Sequence, residues 1–358
     1  MAILDKVFKT AVKNRASDIH IVPQEPFILR RFGRLIKLKN SPLTPKNAKQ
    51  VITEILTPEQ KDVLEKNMQL DFCYEIPGTG RFRGSIMVHN NGCGAVFRII
   101  PEKIPGLEEL GLPNIIYKML ENHQGLILVT GAAGHGKSTT LAAMIDYINT
   151  NKAIHILTVE DPIEFVHPIK KGVVNQRQLK TGTLSYDNAL KGALREDPDI
   201  IMIGELRDLD TISLAISAAE TGHLVLGTLA TSSGPKTIDR IIDAYPPDEQ
   251  CQIRAMLSES LKAVITQRLI PGIDEKSMVM ASEILIGSMP LANLIRDAKT
   301  FQIPSLMQTS KSIGMQIMDE QIIKLLEEGK ITPHNAYINS NESKLFESYL
   351  GEKSNLSE

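Results

Sequence analysis

Residues 126–140 read LILVTGAAGHGKSTT, and this stretch decides the fold. Leu126–Thr130 is a short apolar run ended by a glycine, which predicts a buried strand. Glycines 131, 134 and 136 follow, with Lys137 and Ser138 completing the spacing GxxxxGK[ST] ahead of a helical stretch, Ser138–Asn149. The chemistry needs each part. The glycines let the backbone curl so that its N–H groups converge on phosphate oxygens. A helix starting there turns its positive end toward the anion. Lys137 supplies a point charge for the β- and γ-phosphates, and Ser138 a hydroxyl for Mg²⁺, a cation that takes few protein ligands. The candidate cradle is therefore Gly131, Ala132, Ala133, Gly134, His135, Gly136, Lys137, Ser138 and Thr139, with ATP and Mg²⁺ as its ligands and Ser138 on the metal.

Downstream, Ile154–Val159, Ile200–Ile203 and Leu224–Thr228 are further short apolar runs suited to buried parallel strands. They alternate with helical stretches at Tyr186–Leu194 and Leu209–Ala219, which predicts an α/β, doubly wound sheet. Beyond about residue 247 the pattern is mainly helical, with Met278–Ile286 as a late strand. Upstream, residues 1–100 read as a small α+β domain. Ile3, Val7, Ala11 and Val12 share one helix face, Gly33–Arg34 turns a hairpin, and Thr44-Pro45 and Thr57-Pro58 each start a helix. Between them PEKIPGLEELGLP (101–113) reads as a linker, leaving 114–358 for the larger domain.

Hydrolysis needs more than a cradle. It needs an acidic group to position water and cations to stabilise phosphoryl charge. IIMIGE (200–205) is an apolar strand ending in an acid, so Glu205 is the candidate water-positioning base at a carboxyl strand end. Glu160, Asp161 and Glu164 follow another buried strand, and such a cluster suits a cation with its water shell. A solvated turn shaped by Pro162 is the alternative. His223, in ETGH before Leu224, is placed facing the nucleotide region, with a purely structural histidine as the alternative.

Bulk composition sets the remaining bounds. A net charge of −2 over 358 residues carries no overall basic footprint, and no nucleic-acid partner is expected. Cys73, Cys93 and Cys251 form no CxxC pair and read as reduced thiols. No run of about 18 apolar residues and no signal-like start is present, so a cytoplasmic location is expected.

GAAGHGKSTT, TVEDPIEFVH (158–167), LREDPDIIMIGELRD (194–208) and AAETGHLVLGTLAT (218–231) stand in order. They resemble the Walker A, Asp box, Walker B and His box of the secretion ATPases, the hexameric motors of type II secretion and type IV pili. ASDIHIVP (16–23) resembles the opening of that family's PAS-like N-terminal domain. SESLKAVITQRLIP (258–271) and QTSKSIGMQIMDE (308–320) resemble the C-terminal region of its PilT-type pilus retraction members. The resemblance implies a PAS-like domain before a RecA-like ATPase domain, and ATP hydrolysis coupled to pilus retraction and twitching motility. It implies Glu205 as catalytic glutamate, with Glu160, Asp161 and Glu164 near the metal waters and His223 as the first His-box histidine. Arg83, Arg98 and Arg268 match arginines tied to the nucleotide, although surface ion pairs would also explain them. Implied partners are five further copies in a hexamer, an inner-membrane pilus platform protein that makes the location peripheral to that membrane, and a paralogous retraction ATPase.

Three positions depart from the family pattern. The loop reads GAAGHGKS where GPTGSGKS is usual, Ala230 stands where a second histidine is usual, and Ala292 in PLANLIRD (290–297) replaces an arginine of AIRNLIRE. The longer loading ATPases usually carry a four-cysteine zinc motif, which is lacking here. Retraction is the preferred output. An assembly ATPase, a regulatory nucleotide-binding subunit and a conjugation-type traffic ATPase are the alternatives.

Overall fold

Apolar alternation builds the first sheet. Its strands are β1 (Asp18–Ile21), β2 (Ile28–Arg31), β3 (Arg34–Lys37), β4 (Gln69–Ile76), β5 (Gly80–His89) and β6 (Gly92–Ile100). They pair antiparallel in the order β3-β2-β1-β6-β5-β4. Ile19, Phe72, Phe82, Ile86 and Phe97 fall on one face and bury against Leu4 and Phe8 of helix Ile3–Lys13 and Ile52 of helix Pro45–Thr53. Phe8 stacks on Phe82 with ring centroids 4.3 Å apart. Thr44 and Thr57 cap their helices, each with proline in the first turn, as the sequence predicts. The computed structural model describes residues 2–100, 103–179, 182–274 and 276–351, so the first two residues of the expected linker lie outside the description.

The chain divides into two units, the first comprising Met1–Ile104 with Pro162–Val166 and the second Pro105–Asp161 with His167–Glu358. The second is built on β7 (Gly125–Thr130), β8 (His155–Glu160), β9 (Val173–Gln178), β10 (Ile200–Ile203), β11 (Leu224–Leu229), β12 (Leu261–Pro271) and β13 (Met278–Ile286). The order is β13-β12-β7-β11-β10-β8-β9, with every neighbouring pair parallel except β12 with β13. β7, β10 and β11 are buried at every residue, as continuous apolar runs between helical layers must be. Leu128, Val159, Ile201 and Val225 pack with Ile216 of helix Leu209–Glu220 and Leu257 of helix Gln250–Ser260. A smaller cluster joins Ile270 and Ala281 to Met318, Ile322 and Phe346 of the C-terminal helices.

Two strands differ from the sequence expectation. Leu261–Pro271, expected to be helical, is the eleven-residue strand β12. Its apolar residues Leu261, Val264 and Ile265 also fit a helical period, and only the place between β7 and β13 decides for strand. β9 is polar, NQRQ making up most of it, and no apolar pattern announces it. As an edge strand it pairs only with β8.

Parallel register aligns the carboxyl ends. Thr266 of β12 and Leu229 of β11 flank Thr130 of β7, while Ile203 of β10 pairs with Gly227 of β11 and Val159 of β8. The next residues along the chain therefore meet at one edge: Gln267, Gly131, Ala230, Gly204 and Glu160.

Candidate active site

The loop leaving β7 can exist only with glycine at its start. Gly131 has φ +142°, and a Cβ there would stand 2.4 Å from the Gln267 carbonyl oxygen on β12. Gly134 and Gly136 take φ +81° and +82°, the left-handed region that favours glycine, and Gly136 caps helix Lys137–Asn151. Ala132, Ala133 and Ser138 are exposed, and His135, Lys137 and Thr139 are half-buried. Lys137 Nζ donates to the carbonyls of Gly131 at 2.7 Å and Ala132 at 3.0 Å. Burial lowers its pKa, and the Glu205 carboxylate pulls the other way. Loop lysine and strand-end glutamate therefore share one field.

β12 braces the loop from the side. Gln267 Nε2 donates to the His135 carbonyl at 2.6 Å, and Thr266 shares a 2.8 Å hydroxyl hydrogen bond with Thr130. His135 has its pKa lowered mainly by burial and further by Arg268 and Lys137, against a backbone hydrogen bond with Gln267. Sequence reading missed Gln267, because it had no strand at 261–271.

The acids divide by environment. Glu205 Oε2 accepts from Arg207 Nε at 2.6 Å, and Arg207 is a further residue the sequence reading passed over within GELRD. The Thr228 hydroxyl donates to the Gly204 carbonyl at 2.6 Å, and Leu206 N–H to the Thr228 carbonyl at 2.9 Å, so the backbone on both sides of Glu205 is pinned to β11. Glu160 is buried, and its Oε1 accepts from Thr158 at 2.7 Å and from Gln176 on β9 at 3.0 Å. Asp161, half-buried, belongs to the second unit. Glu164 belongs instead to the first unit, where it accepts from Arg83 Nη1 at 2.7 Å.

Arg83 and Arg98 stand opposite each other on β5 and β6, in a cross-strand row that continues through Asp18 to Arg30. Arg98 Nε donates to Asp18 at 3.0 Å. These arginines are held in ion pairs within the first unit. Arg268 donates to the Asn339 carbonyl and, at 3.0 Å, to Asn341 Oδ1, so the C-terminal helices hold its guanidinium.

The expectation that His223 faces the nucleotide region is corrected. His223 precedes β11, and Leu224 pairs with Gly125 at the amino end of β7. It thus lies a full six-residue strand, roughly 20 Å, from the loop after Thr130. Its Nδ1 is 3.1 Å from the Ala218 carbonyl, a local turn contact. The residue of that segment at the carboxyl edge is Ala230.

A glycine loop, a lysine and an acid thus stand at one parallel edge. Residues 1–325 match the type II/IV secretion system protein family. The chain belongs to that family. The type IV pilus retraction ATPase PilT of Pseudomonas aeruginosa is 48% identical over 326 residues, covering 91% of this chain and 94% of the relative. A twitching motility protein of Neisseria gonorrhoeae is 45% identical, over 94% of this chain and 89% of its own length. The crystal structure of the pilus retraction motor PilT with bound ADP superposes with TM-score 0.86 at 42% identity, covering 96% of this chain and 98% of that one. The fold is accordingly a RecA-like P-loop ATPase domain with an N-terminal α+β domain, and the chain is an ATPase of this family that binds nucleotide.

Proposed function

We propose that this protein is an ATP-driven motor that retracts a type IV pilus. The observation that carries the reading is the meeting of Gly131–Lys137 and Glu205 at one strand edge, in a chain that matches retraction ATPases nearly end to end. In this reading the loop N–H groups and the helix start at Lys137 receive the phosphates of ATP. Lys137 leaves the Gly131 and Ala132 carbonyls to meet the β- and γ-phosphates. Ser138, exposed in the first helical turn, fits a Mg²⁺ ligand, with Glu160 and Asp161 at the carboxyl end of β8 as supports for its waters. When bound, that cation neutralises charge on the transferring phosphoryl group. Glu205 gives up Arg207 and orients the attacking water.

Arg83, Arg98 and Arg268 remain the cations proposed to reach the phosphates during the cycle, each by exchanging its present acceptor for phosphate oxygen. Glu164 is freed as Arg83 moves. Assembly as a homo-hexamer on an inner-membrane platform protein, beside a paralogous retraction ATPase, belongs to the same proposal. Among the described residues no helix is long and apolar enough to cross a membrane, and docking through a protein partner belongs to the same proposal.

Deleting the gene and imaging pili tests the reading. Retraction predicts hyperpiliated cells that do not twitch, rescued by the wild-type protein and not by Glu205→Gln. Loss of pili on deletion would instead make the protein an assembly ATPase. The alanines at 230 and 292 favour one second reading, a motor of altered output that works with a partner hexamer. Ala292 lies half-buried in helix Met289–Arg296, and Ala292→Arg with unchanged retraction in cells would remove its support.

A further inference from the structure

Tyr186 lies at the same carboxyl edge and takes no part in the scheme above. It opens helix Tyr186–Ala193, whose start is set by Ser185: the serine hydroxyl accepts the Asn188 N–H at 3.0 Å. The ring is half-buried and packs against the core of the second unit. Its hydroxyl lies over Gly204. A Cβ built on that glycine would be 3.4 Å from Tyr186 Oη, 3.3 Å from the Val159 carbonyl and 3.5 Å from the Glu160 Cα. The phenol therefore occupies the seam between the ends of β8 and β10. The chain continues from that seam to Asp161 on one side and to Glu205 on the other.

The charges around it agree with this placement. Asp161, Arg207, Glu205 and Glu160 are its ionisable neighbours, and burial together with those carboxylates pushes the phenol pKa up. The group thus stays a protonated donor throughout the physiological range. Carboxylates brought together across a narrow seam repel one another unless donors stand between them. Thr158 and Gln176 serve Glu160, and beside Glu205 the donors are Arg207 and the Tyr186 hydroxyl. Arg207 is already engaged on Glu205 Oε2. In the hydrolytic step proposed above that arginine leaves Glu205, and the phenol stays beside it.

We propose that Tyr186 is a positioning residue for hydrolysis: its hydroxyl donates to the Glu205 carboxylate and keeps it aimed at its water as Arg207 departs. The proposal rests on the ATPase reading and adds a residue to it.

Steady-state hydrolysis by full-length wild type, Glu205→Gln and Tyr186→Phe tests it, with binding of a fluorescent ATP analogue and thermal melting in parallel. Tyr186→Phe keeps the ring and deletes one hydrogen bond to charged groups. Its kcat is expected to fall about tenfold, with KM, analogue affinity and Tm unchanged. Wild-type activity no higher than that of Glu205→Gln would overturn the ATPase reading itself. Wild-type activity well above it, with Tyr186→Phe within twofold of wild type, would overturn the Tyr186 proposal alone. So would a fall in Tm that parallels the fall in kcat, because that pattern marks packing. Incorporating 3-fluorotyrosine at 186 decides between hydroxyl and ring: restored kcat supports the proposal, and activity no better than Tyr186→Phe overturns it.

Discussion

At the carboxyl edge of the seven-stranded sheet stand Lys137, Glu160, Asp161, Tyr186, Glu205 and Arg207. At the amino edge stand His223, Glu220, Glu259 and Lys262. Residue types alone do not separate the two groups. Helix direction does. Helices Lys137–Asn151 and Leu209–Glu220 begin after β7 and β10, so their free N–H groups and positive ends belong to the carboxyl edge. The amino edge receives helix ends, where carbonyls satisfy nearby donors: His223 meets the Ala218 carbonyl, and Lys262 donates to the Glu259 carbonyl at 3.4 Å. Burial, and then Glu259, raise the pKa of Glu220 there, with a cavity of about 130 Å³ beside it and no glycine loop. An anion such as a nucleotide phosphate is welcomed at one edge only.

The largest effect that would sharpen this contrast comes from Glu205→Gln. The amide keeps the size of the side chain and loses its basicity, so kcat is expected to fall at least about a hundredfold. Nucleotide affinity should change little, because the loop and Lys137 carry binding. Equal losses in kcat and affinity would show that Glu205 serves the cradle rather than the water.

A second test concerns stability rather than catalysis. His167 ends the Asp-box segment and is buried, and burial above all lowers its pKa to about 4, with Asp146 opposing. On unfolding it returns toward 6.5, so the unfolded chain binds more protons between about pH 6.5 and 4. Stability is therefore full above pH 6.5 and is lost as pH falls through that window, by about 3 kcal/mol at most. Urea unfolding of wild type and His167→Gln at pH 7 and pH 5 checks it. The variant should lose less stability on acidification, and parallel losses would assign acid sensitivity to other groups.

The nucleotide edge was legible wherever chain order carries it. GAAGHGKS is local, and Glu205 and Glu160 announce themselves as acids ending apolar runs. Strand direction was legible for His223 as well, since it precedes Leu224–Leu229 while Gly131 follows Leu126–Thr130. The missed residues depend on tertiary neighbours. Gln267 matters because β12 lies beside β7, and in a stretch whose apolar spacing also suits a helix no local pattern reveals it. Tyr186 matters because its helix start abuts Gly204, far along the chain. Arg83, Arg98 and Arg268 were visible as arginines, but their acceptors, Glu164, Asp18 and the 339–341 segment, were not.

Gln267 offers a moderate effect that could blur the contrast. Its amide ties β12 to the loop through the His135 carbonyl, so Gln267→Leu removes a brace without touching any group proposed to meet phosphate. A lost hydrogen bond of ordinary strength predicts ATP-analogue affinity weakened about fivefold, with Tm nearly constant. Unchanged affinity would mean that the loop holds its shape from its glycines alone.

The smallest expected effect is the one that would break the comparison. His223→Ala sits at the amino edge, roughly 20 Å from the loop, and deletes a contact to the Ala218 carbonyl that the His223 backbone N–H, donating to the same oxygen at 3.2 Å, leaves in place. Within one subunit, ATP-analogue affinity should therefore stay within twofold of wild type. Hydrolysis by the isolated chain should do the same, whereas Glu205→Gln abolishes it. A tenfold loss of hydrolysis that appears only as protein concentration rises would assign His223 to a neighbouring copy's nucleotide, bringing the amino edge of one subunit into the active site of the next. A loss present at every concentration would leave no such route, and the division of labour between the two edges would fail.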